Sequence, residues 1–247
     1  MLNRLKNRFE QGYRTSAYPQ KPIELSARYR GVPQINAQAP DDLADQCAVA
    51  CPQQAIDAES KYIDMGRCVF CGDCERISEG KFVSFSRKFE LSVAAKEHLI
   101  TDGNLPDLAD HSKKHFKKLF GRSLQLRQVS SAGCNACEAD LNVLATPFFD
   151  LARFGINFVA SPRHADGIMV TGPISTNMRT ATLQTYEAVP DPKVVIAVGS
   201  CTISGGPFRG SPEITEGLDT LLPVDLFIPG CPPHPLTNLH ALLAYFK

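Results

Sequence analysis

Nine cysteines and their spacing constrain this 247-residue chain more than any other feature. They form an early group and a late group along the sequence. The early group comprises Cys47, Cys51, Cys68, Cys71 and Cys74, and the late group comprises Cys134, Cys137, Cys201 and Cys231. In a compartment that keeps thiols reduced, closely spaced cysteines favour metal sites over disulfides. The sequence therefore predicts bound metal.

Other features of the sequence also favour a compartment that keeps thiols reduced. No apolar run approaches the roughly 18–20 residues of a membrane span. The first ten residues, MLNRLKNRFE, contain neither an apolar signal region nor a twin-arginine pair. We therefore expect a cytoplasmic protein.

The net charge argues against one class of function. The 26 basic side chains balance 26 acidic ones, which excludes the strongly basic footprint of a general nucleic-acid binder. Basic residues do concentrate locally in residues 1–30 and in a second cluster, which comprises Lys113, Lys114, Lys117, Lys118 and Arg122. The second cluster is either a solvated helix face or a contact for an acidic partner or a membrane surface.

Composition and periodicity divide the chain into four segments. Residues 1–40, which mix tyrosines and prolines with arginines, predict an extended arm that lies along a partner's surface, with a disordered tail as the alternative. Residues 41–90 contain few large aliphatic side chains, so we expect an inorganic cofactor to stabilise them. Residues 91–122 predict a helical connector, and residues 123–247 predict a larger domain.

The larger domain has the pattern of an α/β fold. Short apolar runs such as INFVAS, GIMVTG, VVIAVG and VDLFIPG alternate with helical stretches, among them CEADLNVLATPFFDLARFG and LTNLHALLAYF. This alternation predicts βαβ units and a doubly wound parallel sheet of the flavodoxin-like class, with helices on both faces.

The early cysteines form two incomplete copies of one motif. The first copy ends in Cys51 followed by proline, and the second reads Cys68-x2-Cys71-x2-Cys74. With the phrases CPQQAI and IDMGRCVFCGDC, this spacing resembles bacterial-type ferredoxins, in which each half is written C-x2-C-x2-C-x3-C-P. The resemblance implies a small α+β ferredoxin-like iron–sulfur domain over residues 41–90.

In those ferredoxins the fourth cysteine of each half binds the cluster of the other half. This crossover assigns one complete four-thiolate set to a [4Fe-4S] cluster, namely Cys51, Cys68, Cys71 and Cys74. The other cluster's positions hold Asp41, Ala44, Cys47 and Ser78. We expect that this other site is lost and that Cys47 is a buried thiol without a ligand role. A zinc site is the alternative for the complete set.

The late cysteines follow predicted strands. Cys134 and Cys137 come after LQLRQV, Cys201 comes after VVIAVG, and Cys231 comes after VDLFIPG. Open α/β sheets bind their ligands at the carboxyl ends of the strands. We therefore expect these four thiols to converge on a second cluster, with scattered buried thiols as the alternative. Glycines beside them allow close backbone approach: Gly133, Gly199, Gly205, Gly206 and Gly230.

Several phrases in residues 123–247 carry a family resemblance. They are C-N-A-C-E at 134–138, S-P-R-H-A-D at 161–166, T-G at 171–172 with M-R at 178–179, G-S-C at 199–201 and I-P-G-C-P-P at 228–233. Together they resemble the small electron-transfer subunit of membrane-bound energy-converting [NiFe] hydrogenases of the formate hydrogenlyase type. The 20 kDa subunit of complex I has the same fold and motifs, but it begins its cluster motif with two adjacent cysteines, so the spacing Cys134-x2-Cys137 favours the hydrogenase type.

The resemblance implies an electron-relay subunit of an oxidoreductase with two [4Fe-4S] clusters. It also implies a [NiFe]-hydrogenase-like large subunit that holds the catalytic centre, other iron–sulfur subunits or an electron donor, and membrane antiporter-like subunits. The expected location is peripheral, at the cytoplasmic face of the inner membrane. The resemblance places Glu138 near the large subunit, as a proton relay or a neighbour of the cluster, and helix capping is the alternative. His164 and His234 are expected to be satisfied loop residues near the site.

Two alternatives stay open at this point. One is the terminal-cluster subunit of a complex I-like quinone-reducing complex, or of a hydrogenase-related complex without nickel. The other is a non-catalytic iron–sulfur or zinc module that senses redox state or binds nucleic acid through the 113–122 cluster. Salt-sensitive binding of DNA or RNA would identify the second alternative.

Overall fold

The computed structural model describes residues 2–110, 114–120 and 123–247, and it begins with a helix. Helix α1 (Leu2–Gln11) replaces the first part of the extended arm predicted for residues 1–40. Gly12 ends the helix, because it adopts the left-handed conformation (φ +62°) and its N–H donates to the Arg8 carbonyl at 3.1 Å.

The arm that follows lies on this chain itself, which differs from the predicted contact with a partner. Tyr18 is buried in the main apolar cluster, and Ile23, Leu25 and Tyr29 pack against the same cluster. The Arg153 guanidinium donates to two arm carbonyls at 2.7 Å each, those of residues 16 and 18. The large apolar side chains of the arm explain the difference, since the chain's own core offers them a surface.

A small α+β unit follows the arm. Its elements are β1 (Pro33–Ile35), α2 (Asp41–Ala50), β2 (Ile56–Asp57), β3 (Tyr62–Asp64), α3 (Asp73–Ile77), β4 (Val83–Phe85) and β5 (Ile100–Thr101). Strand β1 pairs antiparallel with β4, and β2, β3 and β5 form a second antiparallel sheet in that order. The strands of this unit therefore extend on both sides of the predicted 41–90 segment, and its ferredoxin-like character stays a prediction.

The 91–122 connector contains less helix than predicted. It includes a 3-10 turn at Lys96–Leu99 and α4 (Lys114–Phe120). Phe116 and Phe120 of α4 are buried against Phe246 near the C-terminus, with ring centroids 6.3 Å apart in both pairs. Of the predicted basic cluster, Lys113 and Arg122 lie outside the described residues, and Lys118 is exposed.

Residues 123–247 form a parallel five-stranded sheet. Its elements are β6 (Leu124–Ser130), α5 (Ala136–Val143), β7 (Ile156–Phe158), β8 (Gly167–Thr171), α6 (Thr176–Ala188), β9 (Val194–Val198), α7 (Ser200–Ser204), β10 (Leu226–Ile228) and α8 (Pro235–Phe246). The strand order β10-β9-β8-β6-β7 is the flavodoxin-like one. The prediction of a doubly wound parallel sheet is confirmed, and the strand order reverses between β6 and β8.

Helix α5 is shorter than the predicted helix CEADLNVLATPFFDLARFG. It ends at Val143, and only a 3-10 turn at Leu151–Phe154 continues the pattern. Pro147 disfavours helical geometry in the residue before it, and Asp150 adopts a left-handed conformation (φ +48°). Both features interrupt a helix that the apolar periodicity alone would extend.

The two units share one core. Alternate residues of β6, β8, β9 and β10 point to opposite faces of the sheet, and α8 covers one face. The opposite face packs against apolar side chains of the small unit, among them Ile63, Met65, Phe82 and Leu99. Val93 also exchanges two backbone hydrogen bonds with Phe227 at the edge strand β10. Although residues 41–90 contain few large aliphatic side chains, those they have join the core of the sheet, so apolar packing also stabilises this segment.

Within the described ranges, no helix is both long enough and apolar enough to cross a lipid bilayer.

Candidate metal centres

Four early cysteines surround one cavity in the small unit. The cavity has about 360 Å³ of atom-free space, part of which is open to solvent, and its walls include Cys51, Cys68, Cys71 and Cys74. Cys51 follows α2, Cys68 and Cys71 lie in the loop before α3, and Cys74 lies within α3. The structure thus brings together the four residues that the crossover of ferredoxin ligands assigns to one cluster, although their role as ligands stays a prediction.

The backbone turns around this cavity and directs N–H groups at its sulfurs. Phe70 and Gly72 adopt left-handed conformations (φ +55° and +80°) in the loop between the cysteines. The Phe70 N–H donates to the Cys68 Sγ at 3.3 Å, and the Ala55 N–H donates to the Cys51 Sγ at 3.4 Å. Such donors stabilise thiolate sulfur and tune the potential of a cluster bound to it.

Cys68 and Cys74 of this set are crowded by the neighbouring cysteines. Burial, together with a smaller effect of the neighbouring cysteines, raises the pKa of Cys68 and of Cys74 to about 12. Deprotonated Cys68 and Cys74 sulfurs in these surroundings would favour a cationic partner such as the core of an iron–sulfur cluster. The set of four thiols fits the ligand requirement of a [4Fe-4S] cluster.

The positions of the second ferredoxin cluster are filled by packing. Ala44 and Cys47 are fully buried, and the Cys47 thiol donates to the Cys74 carbonyl at 3.5 Å. Burial raises the pKa of Cys47. Ser78 is also buried, and Asp41 forms an ion pair with Lys61 at 2.9 Å. Three of these four positions are therefore buried, whereas the Asp41 side chain is exposed.

The four late cysteines lie at the carboxyl ends of the parallel strands. Cys134 and Cys137 follow β6, Cys201 follows β9 and Cys231 follows β10. Cys134 and Cys231 are exposed, whereas the other two are partly buried. The thiols are close enough to affect one another, because Cys231 and Cys134 both raise the pKa of Cys201 after the larger effect of burial, to about 11 in total. Their convergence on one cluster and their role as ligands both stay predictions.

Glycines make room for two of these sulfurs. Gly199 has φ +86°, and a Cβ atom there would lie 2.8 Å from the Cys137 Sγ. Gly206 has φ +54°, and its Cβ atom would lie 2.9 Å from the Cys201 Sγ. Both contacts are shorter than real Cβ contacts allow, so a side chain at either position would occupy the space of the thiol.

Glu138 is a buried carboxylate beside this second set. Its Oε1 atom accepts hydrogen bonds from the Ser130 hydroxyl at 2.6 Å and from the Thr171 hydroxyl at 2.7 Å. Burial alone would raise the pKa of Glu138, but these two bonds and its own backbone N–H outweigh burial and lower the pKa. The bond to its own N–H agrees with the capping interpretation, and the two hydroxyls come from the ends of β6 and β8. Burial first and then Glu138 raise the pKa of Cys137.

The two histidines near this site take structural positions. The His234 Nδ1 atom accepts from the Leu236 N–H at 3.1 Å at the start of α8, and its ring packs edge-on against Tyr29. His164 is exposed at the end of a 3-10 turn. Both observations agree with loop residues whose role is local.

In residues 2–110, 114–120 and 123–247, no three His, Cys, Asp or Glu side chains are placed to bind one metal ion.

Hydrogen bonds connect the segments that carry the two cysteine sets. The Ser200 hydroxyl, next to Cys201, donates to the Cys68 carbonyl at 2.6 Å. One turn later on α7, the Ser204 hydroxyl donates to the Gly66 carbonyl at 2.8 Å. The Arg209 guanidinium donates to the Gln53 carbonyl at 2.9 Å. The sequence patterns did not predict these contacts. The available signal was that Ser200 and Ser204 lie four residues apart, on one face of the helix that contains Cys201.

Comparison with known proteins identifies relatives of the segment that carries the late cysteines. The family model for the NADH ubiquinone oxidoreductase 20 kDa subunit matches residues 134–245, a range that includes all four late cysteines and excludes the early ones. A probable membrane-bound hydrogenase subunit of Pyrococcus furiosus is 44% identical over 126 residues, which cover 51% of this chain and 75% of that protein.

Two further relatives belong to different kinds of complex. Formate hydrogenlyase subunit 7 of Escherichia coli is 41% identical over 128 residues, which cover 52% of this chain and 50% of that protein. An NADH-quinone oxidoreductase subunit of Bacteroides thetaiotaomicron is 45% identical over 117 residues, which cover 47% of this chain and 59% of that protein. Overall identity therefore does not separate hydrogenase relatives from quinone-oxidoreductase relatives.

The first cavity generates a prediction that contrasts two cysteines. Cys51→Ser removes a thiolate from the cavity wall, so we expect the purified chain to lose about four irons relative to the wild type. Cys47→Ser keeps a hydrogen-bond donor at a packed position and should leave the iron content unchanged. Iron analysis of the anaerobically purified variants checks this. Full iron in the Cys51 variant, or lost iron in the Cys47 variant, would contradict the assignment.

The second set generates a prediction that leaves every thiol in place. Gly199→Ala puts a Cβ atom on the Cys137 Sγ, and we expect it to remove about four irons per chain. Gly210→Ala is the matched control, because Gly210 has nearly the same φ of +84° but no atom within 4 Å of the added Cβ. Gly210→Ala controls for an L residue at a positive φ, whereas alanine at position 199 also carries the strain of ψ 154°, in a region that glycine alone adopts readily. Equal iron content in the two variants would show that Gly199 has no role in making room for a cluster.

Proposed function

Since this chain belongs to the family of the 20 kDa subunit of NADH ubiquinone oxidoreductase, we propose that it is an electron-relay subunit with two [4Fe-4S] clusters. The early set Cys51, Cys68, Cys71 and Cys74 would hold one cluster. The late set Cys134, Cys137, Cys201 and Cys231 would hold the other. The complex would be a membrane-associated hydrogenase in which a separate large subunit holds the [NiFe] centre.

The observation that carries this proposal is the bond from the Ser200 hydroxyl to the Cys68 carbonyl at 2.6 Å. Ser200 is joined covalently to Cys201, so one short hydrogen bond connects a ligand residue of each set. The Ser200 N–H also donates to the Gly230 carbonyl, which precedes Cys231. A single serine therefore contacts one loop of the early set and two loops of the late set.

Each bound cluster would supply a one-electron redox centre, and the chain's own residues set its surroundings. The N–H groups of Phe70 and Ala55 donate to sulfurs of the early set, which favours the more negative, reduced state. Glu138 places a carboxylate charge beside the late set, which favours the oxidised state. The hydrogen bonds would therefore raise the reduction potential of the early cluster, and the carboxylate would lower that of the late cluster.

The exposed thiols indicate where partners would bind. Cys134 and Cys231 are exposed at the late set, and Cys71 is exposed at the early set. Electron transfer needs close approach of two centres, so the large subunit would cover the late set, and an iron–sulfur donor or acceptor subunit would approach the early one. Antiporter-like subunits would bind through the complex, and the expected position is the cytoplasmic face of the inner membrane.

The nature of the large subunit needs a separate test. The relatives include a hydrogenase subunit and a quinone-oxidoreductase subunit at 44% and 45% identity, so the preference for hydrogenase rests on the Cys134-x2-Cys137 spacing. We expect the native complex to contain nickel and a large subunit with two C-x2-C pairs. A co-purifying large subunit without those pairs would favour the complex I-like alternative.

The connection between the sites predicts different effects for two serines. Ser200→Ala breaks the bond to Cys68 and should slow electron equilibration between the two clusters severalfold, without loss of iron. Ser204→Ala is the matched control, because it breaks a similar bond between the same two units, at a similar cost of about 1 kcal/mol, but at Gly66. Rapid-freeze EPR of the reduced complex measures the rate. Equal slowing in both variants, or none in either, would contradict the role of Ser200.

A further inference from the structure

Helix α1 presents an apolar face that the other described residues leave open. The described side chains from Asn3 to Arg14 are all exposed. Leu5 is 57% exposed, Phe9 is 85% exposed and Tyr13 is 84% exposed. A helix of ten residues is marginal in water without packing, so a surface outside the described chain must cover this face to stabilise it.

The exposed face is bordered by positive charge. Leu5 and Phe9 lie four residues apart and therefore on the same side of the helix. Arg4, Lys6 and Arg8 surround them, whereas the only acidic residue of the helix, Glu10, lies 3.8 Å from Lys6 in an exposed ion pair. An apolar stripe with a cationic border is the pattern of a helix that lies in a membrane interface.

Hydrogen bonds fix the segment that follows α1 to the large unit. The Ser16 N–H donates to the Phe148 carbonyl at 2.8 Å, and the Ser16 and Tyr18 carbonyls accept from Arg153. A few residues after the helix, the chain is thus fixed to the large unit. The Arg8 guanidinium stacks over the Tyr13 ring at 4.2 Å, which places an aromatic ring and a cation together at the end of the helix.

We propose that α1 lies on the surface of an anionic phospholipid bilayer. Leu5 and Phe9 enter the boundary of the acyl chains, the three cations contact lipid phosphates, and Tyr13 lies at the level of the headgroups. The charge complementarity selects a lipid surface, since the cations are spread around the stripe and anionic headgroups can meet them on both sides. This attachment is independent of the clusters and would orient the chain relative to the membrane.

A single tryptophan can report on this contact, because the chain contains none. Phe9→Trp in the full chain should show a blue shift of its emission when vesicles of phosphatidylcholine and phosphatidylglycerol are added. Val49→Trp is the matched control, because Val49 is 89% exposed on the acidic helix α2, and its emission should not shift. No shift at position 9, or an equal shift at both positions, would overturn the proposal.

Binding measurements test the charge requirement. Co-sedimentation of the full chain with the anionic vesicles should weaken about tenfold or more in Arg4→Glu/Arg8→Glu, and it should fall with added salt. Vesicles of phosphatidylcholine alone should bind weakly. A contrary result would be that the wild type binds neither type of vesicle, while the emission of the Phe9→Trp variant shifts only when partner subunits are added. In that case the helix binds a protein, and the lipid proposal is wrong.

Discussion

The bond from the Ser200 hydroxyl to the Cys68 carbonyl crosses the boundary between the small unit and the parallel sheet. It ties the loop of one cysteine set to the helix that begins the other. Ser204 repeats the contact one helical turn later, and Arg209 extends it to the segment that follows Cys51. These bonds can form because the small unit packs its apolar side chains onto one face of the parallel sheet. The two units therefore share one core, and the segments that carry their cysteines meet at the boundary.

Crowded sulfur imposes the second constraint. Each set contains thiols whose pKa burial raises above the ordinary value, with Cys68 and Cys74 at about 12. The chain accommodates such sulfurs with left-handed backbone at Phe70 and glycine at position 199. At the lost ferredoxin position, by contrast, Ala44 and Cys47 are buried in apolar packing. The predicted loss of one cluster site thus agrees with the burial of Ala44 and Cys47.

Much of this arrangement could be predicted from the sequence because it depends on local periodicity and spacing. Alternating apolar runs identified the sheet, and a cysteine after a strand must lie at the sheet's carboxyl edge, as Cys201 and Cys231 do. The proposed cluster ligands of the small unit followed from a motif. Tertiary contacts were out of reach: the shared core, the arm packed on its own chain, and the Ser200 bond, which joins residues 132 positions apart. The early end of α5 depended on Pro147, a local signal that the apolar periodicity masked.

The central claim is that one chain holds two separate clusters joined across a single hydrogen-bonded boundary. Iron and acid-labile sulfide, measured on the anaerobically purified wild-type chain, test it most directly. We expect about eight irons and about eight sulfides per chain, four for each complete cysteine set. A value of about four of each would contradict the claim, because one of the two cysteine sets would then hold no cluster.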